Sequence, residues 1–184
     1  MNRKEITKFL SELLIADRLS GAGKYYAREV TLDYGKSELV EDEIKSKTRR
    51  IDFLQFEPEN QLSVSGIEKG VFTCYEIKSC KADFLSGYGQ NFVGEKNYLV
   101  MMMDTYKALK ECGEIDKLPY NIGILVPMPY QKKFYSDKLQ SEYNHPTQYP
   151  IEDRLYLETI KKAYKKNREK SITELLFCMV RSGK

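Results

Sequence analysis

The alternation of apolar and polar positions divides the chain into one amphipathic helix, a set of short strands and interleaved helical stretches. Residues 3–20 place Ile6, Phe9, Leu10, Leu13, Leu14 and Leu19 at helical spacing, and Gly21 and Gly23 close the run. YYAREVTLDY, rich in β-branched and aromatic residues, predicts a first strand. The polar stretch GKSELVEDEIKSKT predicts a loop or a short helix. RRIDFLQFEP predicts a second strand closed by Pro58, NQLSVSGIEKG a region of turns, and VFTCYEIKSC a third strand. KADFLSGYGQNFVG begins helically, but Gly87, Gly89 and Gly94 keep any helix there short or broken. NYLVMMM is almost unbroken in its apolar run and predicts a fourth strand covered on both faces. DTYKALKECGEIDKLP predicts a helix capped by Asp104, and YNIGILVPMP a fifth strand. Residues 131–150 are polar, carry Pro146 and Pro150, and read as a long loop. From Ile151 the pattern predicts helix again, broken at Ser171, where SITE has the form of a capping box. The last helix would turn Leu175, Leu176, Met179 and Val180 inward.

This order predicts an α/β fold: a mixed central sheet of about five strands flanked by helices, with extra C-terminal helices. The early strands can be joined as hairpins, whereas the later ones need crossovers. A length of 184 residues suits one domain, with a core over about 3–130 and a helical C-terminal extension over about 151–182. Hydrophobic residues at 41% supply a core and argue against a disordered chain. The net charge of +3 neither demands nor excludes a nucleic-acid partner.

The four cysteines form no CxxC pair and His145 lies far from them, which argues against structural zinc and for free thiols in a reducing compartment. The start, MNRKEITKFL, lacks the apolar core of a signal peptide, and the longest apolar run, YLVMMM, is too short to span a bilayer. A cytoplasmic protein without a membrane span is expected.

One strand stands out chemically. In YEIKSCK, Glu76 and Lys78 are two residues apart and share a face. Alone, Glu-x-Lys also describes a plain ion pair on a solvated strand. Asp52 lies inside the preceding strand, and pairing of the two strands would bring it within a few ångström of Glu76. Two close carboxylates repel unless a cation lies between them or one keeps its proton. A divalent ion resolves the repulsion, and Mg²⁺ (or Mn²⁺) takes one or two carboxylates together with water and substrate phosphate. Lys78 could then hold the attacking water or neutralise phosphate charge.

These residues resemble the PD-(D/E)XK nuclease superfamily, which has the restriction-endonuclease-like fold. RRIDFLQF, YEIKSCKADF, NYLVMM and PYNIGILVP together resemble its MmcB group of DNA-repair-associated and phage proteins. The matching positions are Arg49, Arg50 and Asp52, then Glu76, Lys78, Ser79, Asp83 and Phe84, over about residues 25–130. The resemblance implies a magnesium-dependent DNA phosphodiesterase, with Asp52, Glu76 and the backbone carbonyl of Ile77 holding the metal and Lys78 positioning water. It also implies an upstream acidic residue, for which Glu29 is the candidate beside a plain surface role. Gln90 is a candidate polar site residue or simply part of a loop. Ile51 stands where relatives often have Pro, and SGYGQNFVGEKN replaces a longer helix.

Arg49, Arg50, Lys81 and Lys96 flank the motif in sequence and are candidates for phosphate contacts. KKAYKKNREK is the densest basic run, either tracking a phosphate backbone with Tyr164 stacking or forming a solvated helix face. Asp83 would cap or orient the turn after the motif. Cys74 and Cys80 share its strand parity and could line the site. DNA is the expected partner, and a homodimer is left open as the form that would cut both strands. The competing expectation is a DNA-binding accessory module that keeps the fold without turnover.

Overall fold

The computed structural model describes residues 1–40, 43–46, 48–129 and 155–182. The chain opens with α1 (Arg3–Leu14), capped by Asn2 and Glu5 in a reciprocal capping box, and runs on into a single π-helical turn, Ile15–Leu19. The strands that follow are β1 (Tyr25–Leu32), β2 (Ser37–Val40), β3 (Glu43–Ser46) and β4 (Arg49–Glu57). Then come α2 (Val64–Glu68), β5 (Val71–Lys78), α3 (Lys81–Leu85), β6 (Lys96–Met101), α4 (Met103–Glu111), β7 (Ile122–Pro129), β8 (Leu155–Lys161) and α5 (Ile172–Ser182).

The main sheet has six strands in the order β1-β4-β5-β6-β7-β8, and β2 pairs with β3 in a separate ribbon. The β1–β4, β4–β5 and β7–β8 pairs are antiparallel, while β5–β6 and β6–β7 are parallel. This is a mixed open α/β sheet flanked by helices, as the element order predicted. On one face α1 packs Phe9, Leu10, Leu13 and Leu14 against Phe53, Tyr75, Ile77 and Val100. On the other, α5 covers β1, β4 and β5, and α4 covers β6 and β7.

Several predicted elements differ. The stretch read as loop or short helix contains the β2–β3 ribbon. The helix after β6 is capped at Met102, and Asp104 lies inside its first turn instead of capping it. The predicted helix from Ile151 is instead β8 from Leu155, whose buried Leu155 and Leu157 alternate with half-exposed neighbours. It completes the sheet beside β7, so the C-terminal part is one strand and one helix, not a run of helices. KKAYKKNREK continues from β8 as extended chain: Tyr164 N–H donates to the Asn121 carbonyl and Lys166 N–H to that of Glu95. In α5, Leu175, Cys178 and Met179 are buried but Val180 is 70% exposed, so the inward stripe is rotated from the predicted one. The predicted loop 131–150 and His145 lie outside the described residues. No helix among the described residues is long and apolar enough to cross a membrane.

One irregularity positions the site. Ala27 and Val30 of β1, and Ile51 and Leu54 of β4, all join the core beneath α5. Residues three apart cannot share a face of a regular strand. The break falls at Glu29, whose φ is +51°, and at the facing position, Asp52, where the β1–β4 pairing skips one step. This kink turns the Asp52 side chain toward β5.

Candidate active site

β4 and β5 are paired from Glu57↔Val71 to Phe53↔Tyr75, and beyond Phe53 the strands part. In the gap, Asp52 Oδ2 accepts the Ile77 N–H at 2.8 Å, replacing a lost ladder bond. Glu76 and Lys78 lie on the same face of β5, and both are buried. Glu76 Oε1 is a buried side-chain oxygen with no hydrogen-bond partner. Such an atom is costly unless a proton, a water or a cation meets it. Lys78 Nζ donates to the Tyr88 carbonyl.

A loop between α3 and β6 roofs these groups. Gly87, Gly89 and Phe92 have φ of +71°, +73° and +43°. At Gly89 the lack of a side chain is required twice over. Its φ favours glycine, and a Cβ there would stand 2.6 Å from Glu76 Oε2 and 3.3 Å from Lys78 Nζ. Asn91 Nδ2 anchors the far side of the loop on the Arg50 carbonyl at 2.7 Å. Asp52, Glu76 and Lys78 thus share a cavity of about 390 Å³, with Arg50, Tyr88 and Asn91 around its mouth.

Asp52, Glu76 and Asp83 line the cavity with Arg49, Arg50 and Lys78, but Arg49 is paired with Asp33 and Glu169 and Arg50 with Glu29, which leaves Lys78 as the cation for Asp52 and Glu76. Burial, then the charge of Asp52, pushes the Glu76 carboxyl up to about 9, against the pull of Lys78. Burial also raises Asp52, while the Ile77 N–H and Lys78 draw it down. Near neutral pH, Glu76 therefore holds a proton in the metal-free cavity.

Asp52 and Glu76 are the groups that could hold a divalent ion here. The unpartnered Glu76 Oε1 and the open cradle at Gly89 fit such an ion. Among the described residues no group of three or more His, Cys, Asp or Glu side chains is arranged to hold a metal. The donor set is therefore two carboxylates completed by water, backbone oxygen or substrate, which suits Mg²⁺ or Mn²⁺ and not a closed zinc site.

The other sequence candidates are distributed unevenly. Arg50 lines the mouth and pairs with Glu29 at 2.7 Å, both side chains largely exposed. Glu29 faces Asp52 across the β1–β4 kink but does not line the cavity. Arg49 lines the cavity wall, yet its guanidinium is held by Asp33 and Glu169, at 2.9 Å and 3.0 Å. Gln90 is not part of the lining, because its amide donates to the Phe84 carbonyl at 2.9 Å. Lys81 is exposed at the start of α3, outside the lining. Lys96 lies on the opposite face of the sheet, in register with Thr73, so it cannot reach these carboxylates. Cys74 is buried in the core beneath α5 and Cys80 is the N-cap of α3, and neither lines the cavity. In the basic run, Arg168 is tied to Glu95 and Lys170 to Asp33 and Glu174, while Tyr164 packs on Tyr120.

Asp83 does orient the turn, accepting both the N–H and the hydroxyl of Ser79 at 2.9 Å. Tyr88, Gly89 and Asn91 were missed as site residues. Their signal in the sequence is the glycine pair flanking a tyrosine soon after Glu-x-Lys, in the stretch that replaces a longer helix. No family model, curated protein or solved structure matches the chain significantly.

Proposed function

We propose that the protein is a metal-dependent nuclease of the PD-(D/E)XK type, with a restriction-endonuclease-like core, that hydrolyses DNA phosphodiester bonds. The observation that carries this reading is the unpartnered, buried Oε1 of Glu76, in a cavity it shares with Asp52 and Lys78. A structural ion pair would satisfy that oxygen. A site awaiting a cation would not.

In this reading Asp52 and Glu76 hold Mg²⁺, with the Ile77 carbonyl as a further oxygen donor. The ion, when bound, supplies Lewis-acid stabilisation of phosphate charge. Lys78 has one N–H engaged by the Tyr88 carbonyl and two left to orient water or to meet a phosphate oxygen. Exposed Arg50 offers a phosphate contact at the mouth. The kink at Glu29 and Asp52 fixes Asp52 by its bond to Ile77, so its free oxygen needs little reorganisation.

The test is cleavage of supercoiled plasmid and of single-stranded DNA with and without Mg²⁺, comparing the unaltered protein with Lys78→Ala. Mg²⁺-dependent cutting that the variant loses is the expected result. Absence of cutting by the unaltered protein, or equal cutting by the variant, defeats the enzymatic reading. The accessory-module reading draws on the closed loop, which engages Lys78 through Tyr88. It predicts DNA binding without cutting and Mn²⁺ binding that Asp52→Asn leaves unchanged.

A further inference from the structure

The opposite face of the sheet carries a second polar pocket, of about 170 Å³, between the π-helical turn and the middle strands. It lies at the other end of β4 and β5 from the acidic cavity, among Gln55, Glu57, Thr73 and Tyr75. Its lining is net positive: Arg18, Lys24 and Lys96 stand against Glu57 alone. Part of the wall is already satisfied. The Arg18 guanidinium is held by Asp17, the Leu157 carbonyl and Thr159, and buried Gln55 links the Tyr75 hydroxyl to Glu57. Lys24 donates one N–H to the Arg18 carbonyl at 2.9 Å, leaving two.

Among the described residues, neither the Lys96 ammonium nor the hydroxyls of Thr73 and Tyr98 make a side-chain hydrogen bond or ion pair, and Thr73 is only 4% exposed. Tyr98 is fixed by stacking on Tyr75, with ring centroids 5.7 Å apart. Two lysines and two hydroxyls converging from two strands, β5 and β6, and the turn before β1 suit a compact, multiply accepting anion. A flat carboxylate prefers a free arginine fork, and this one is occupied. The volume admits a phosphate with a few waters, not a nucleoside.

We propose that this pocket binds phosphate, as the inorganic ion or the end of a phosphomonoester, independently of the acidic cavity. The test is calorimetric titration of the full chain with inorganic phosphate and with glycerol 3-phosphate, at constant ionic strength in chloride buffer. Saturable binding of one anion per chain is expected, and the tighter of the two probes identifies the source. Lys96→Met should weaken it by about tenfold and Thr73→Val by a few-fold, with an unchanged circular dichroism spectrum. Arg50→Gln, at the mouth of the acidic cavity, should leave it unaltered. The proposal is overturned if neither probe saturates, if both pocket variants bind as the unaltered chain does, or if Arg50→Gln removes binding.

Discussion

Asp33 and Glu76 are both buried carboxylates near the Arg49–Asp52 end of β4, and their surroundings drive them in opposite directions. Burial would raise Asp33, but hydrogen bonds from Lys170 and Arg49, with their charges, hold it down at about 2. Lys170 in turn reaches Glu174, and Arg49 reaches Glu169, so this cluster closes on itself and fastens α5 to β1 and β4. Glu76 is pushed up to about 9, with one oxygen unanswered. Both clusters draw on the same strand, β4, through Arg49 and Asp52. A satisfied cluster is architecture. An unsatisfied one, in a cavity open to solvent, is held ready for something the chain does not itself provide. Arg49, in the cavity wall but committed to the satisfied cluster, belongs to the first kind despite its place beside Arg50.

The contrast breaks most sharply at Glu76. Glu76→Gln keeps the shape and removes the charge, so Mg²⁺-dependent cleavage should fall by about a thousandfold. The same variant should melt about 5 °C higher than the unaltered protein in metal-free buffer at neutral pH. The sign follows from linkage. Glu76 keeps its proton when folded up to about 9 but loses it near 4.5 when unfolded, so its stabilisation is complete below 4.5 and is lost as pH rises toward 9. Thermal melts across this range should decline in the unaltered protein and flatten in Glu76→Gln. A variant that melts lower at neutral pH would place Glu76 in the satisfied class.

Asp33→Asn should do the reverse. It leaves Arg49 and Lys170 without their shared carboxylate and should cost about 3 kcal/mol in urea unfolding. In the unaltered chain that contribution is present above 3.8 and is lost as pH falls through about 2. Gly89→Ala tests the roof. A Cβ at positive φ, pressed on Glu76 Oε2, should cost about 1–2 kcal/mol and weaken Mn²⁺ binding by about tenfold, read by calorimetry. Arg50→Gln is the gentlest probe. It should change stability by less than about 0.5 kcal/mol, and it should reduce the slope of DNA affinity against salt by roughly one phosphate contact.

How much of this the sequence disclosed depended on how local the governing interactions are. Asp52, Glu76 and Lys78 could be brought together on paper because two consecutive strands form one antiparallel pair, and strand parity then fixes the neighbours. Lys96 went wrong for the same reason. Its face is set by its parallel register with Thr73, which depends on a crossover and not on nearness along the chain. β8 was misread because its alternation is short and runs into a basic stretch of helical composition, while β7, its pairing partner, lies far upstream. Arg49 looked like a phosphate ligand because Asp33 and Glu169, which claim it, are remote in sequence. The kink at Glu29 was invisible because neither residue type nor spacing announces a left-handed glutamate in a strand.

The packing of α5 on β1 has a consequence for the order in which the molecule can be made. Arg181 donates to the Thr31 carbonyl and the Thr31 N–H to Ser182, while Lys170 and Glu169 hold Asp33 and Arg49. β1 is thus covered by α5, and the wall behind the acidic cavity is braced by residues more than a hundred positions further along the chain. Such long-range closure slows folding. A nascent chain can pair β4 with β5 early, but its acidic cavity has no braced wall until Ile172–Ser182 has emerged, so any reactivity housed there is withheld until α5 has docked.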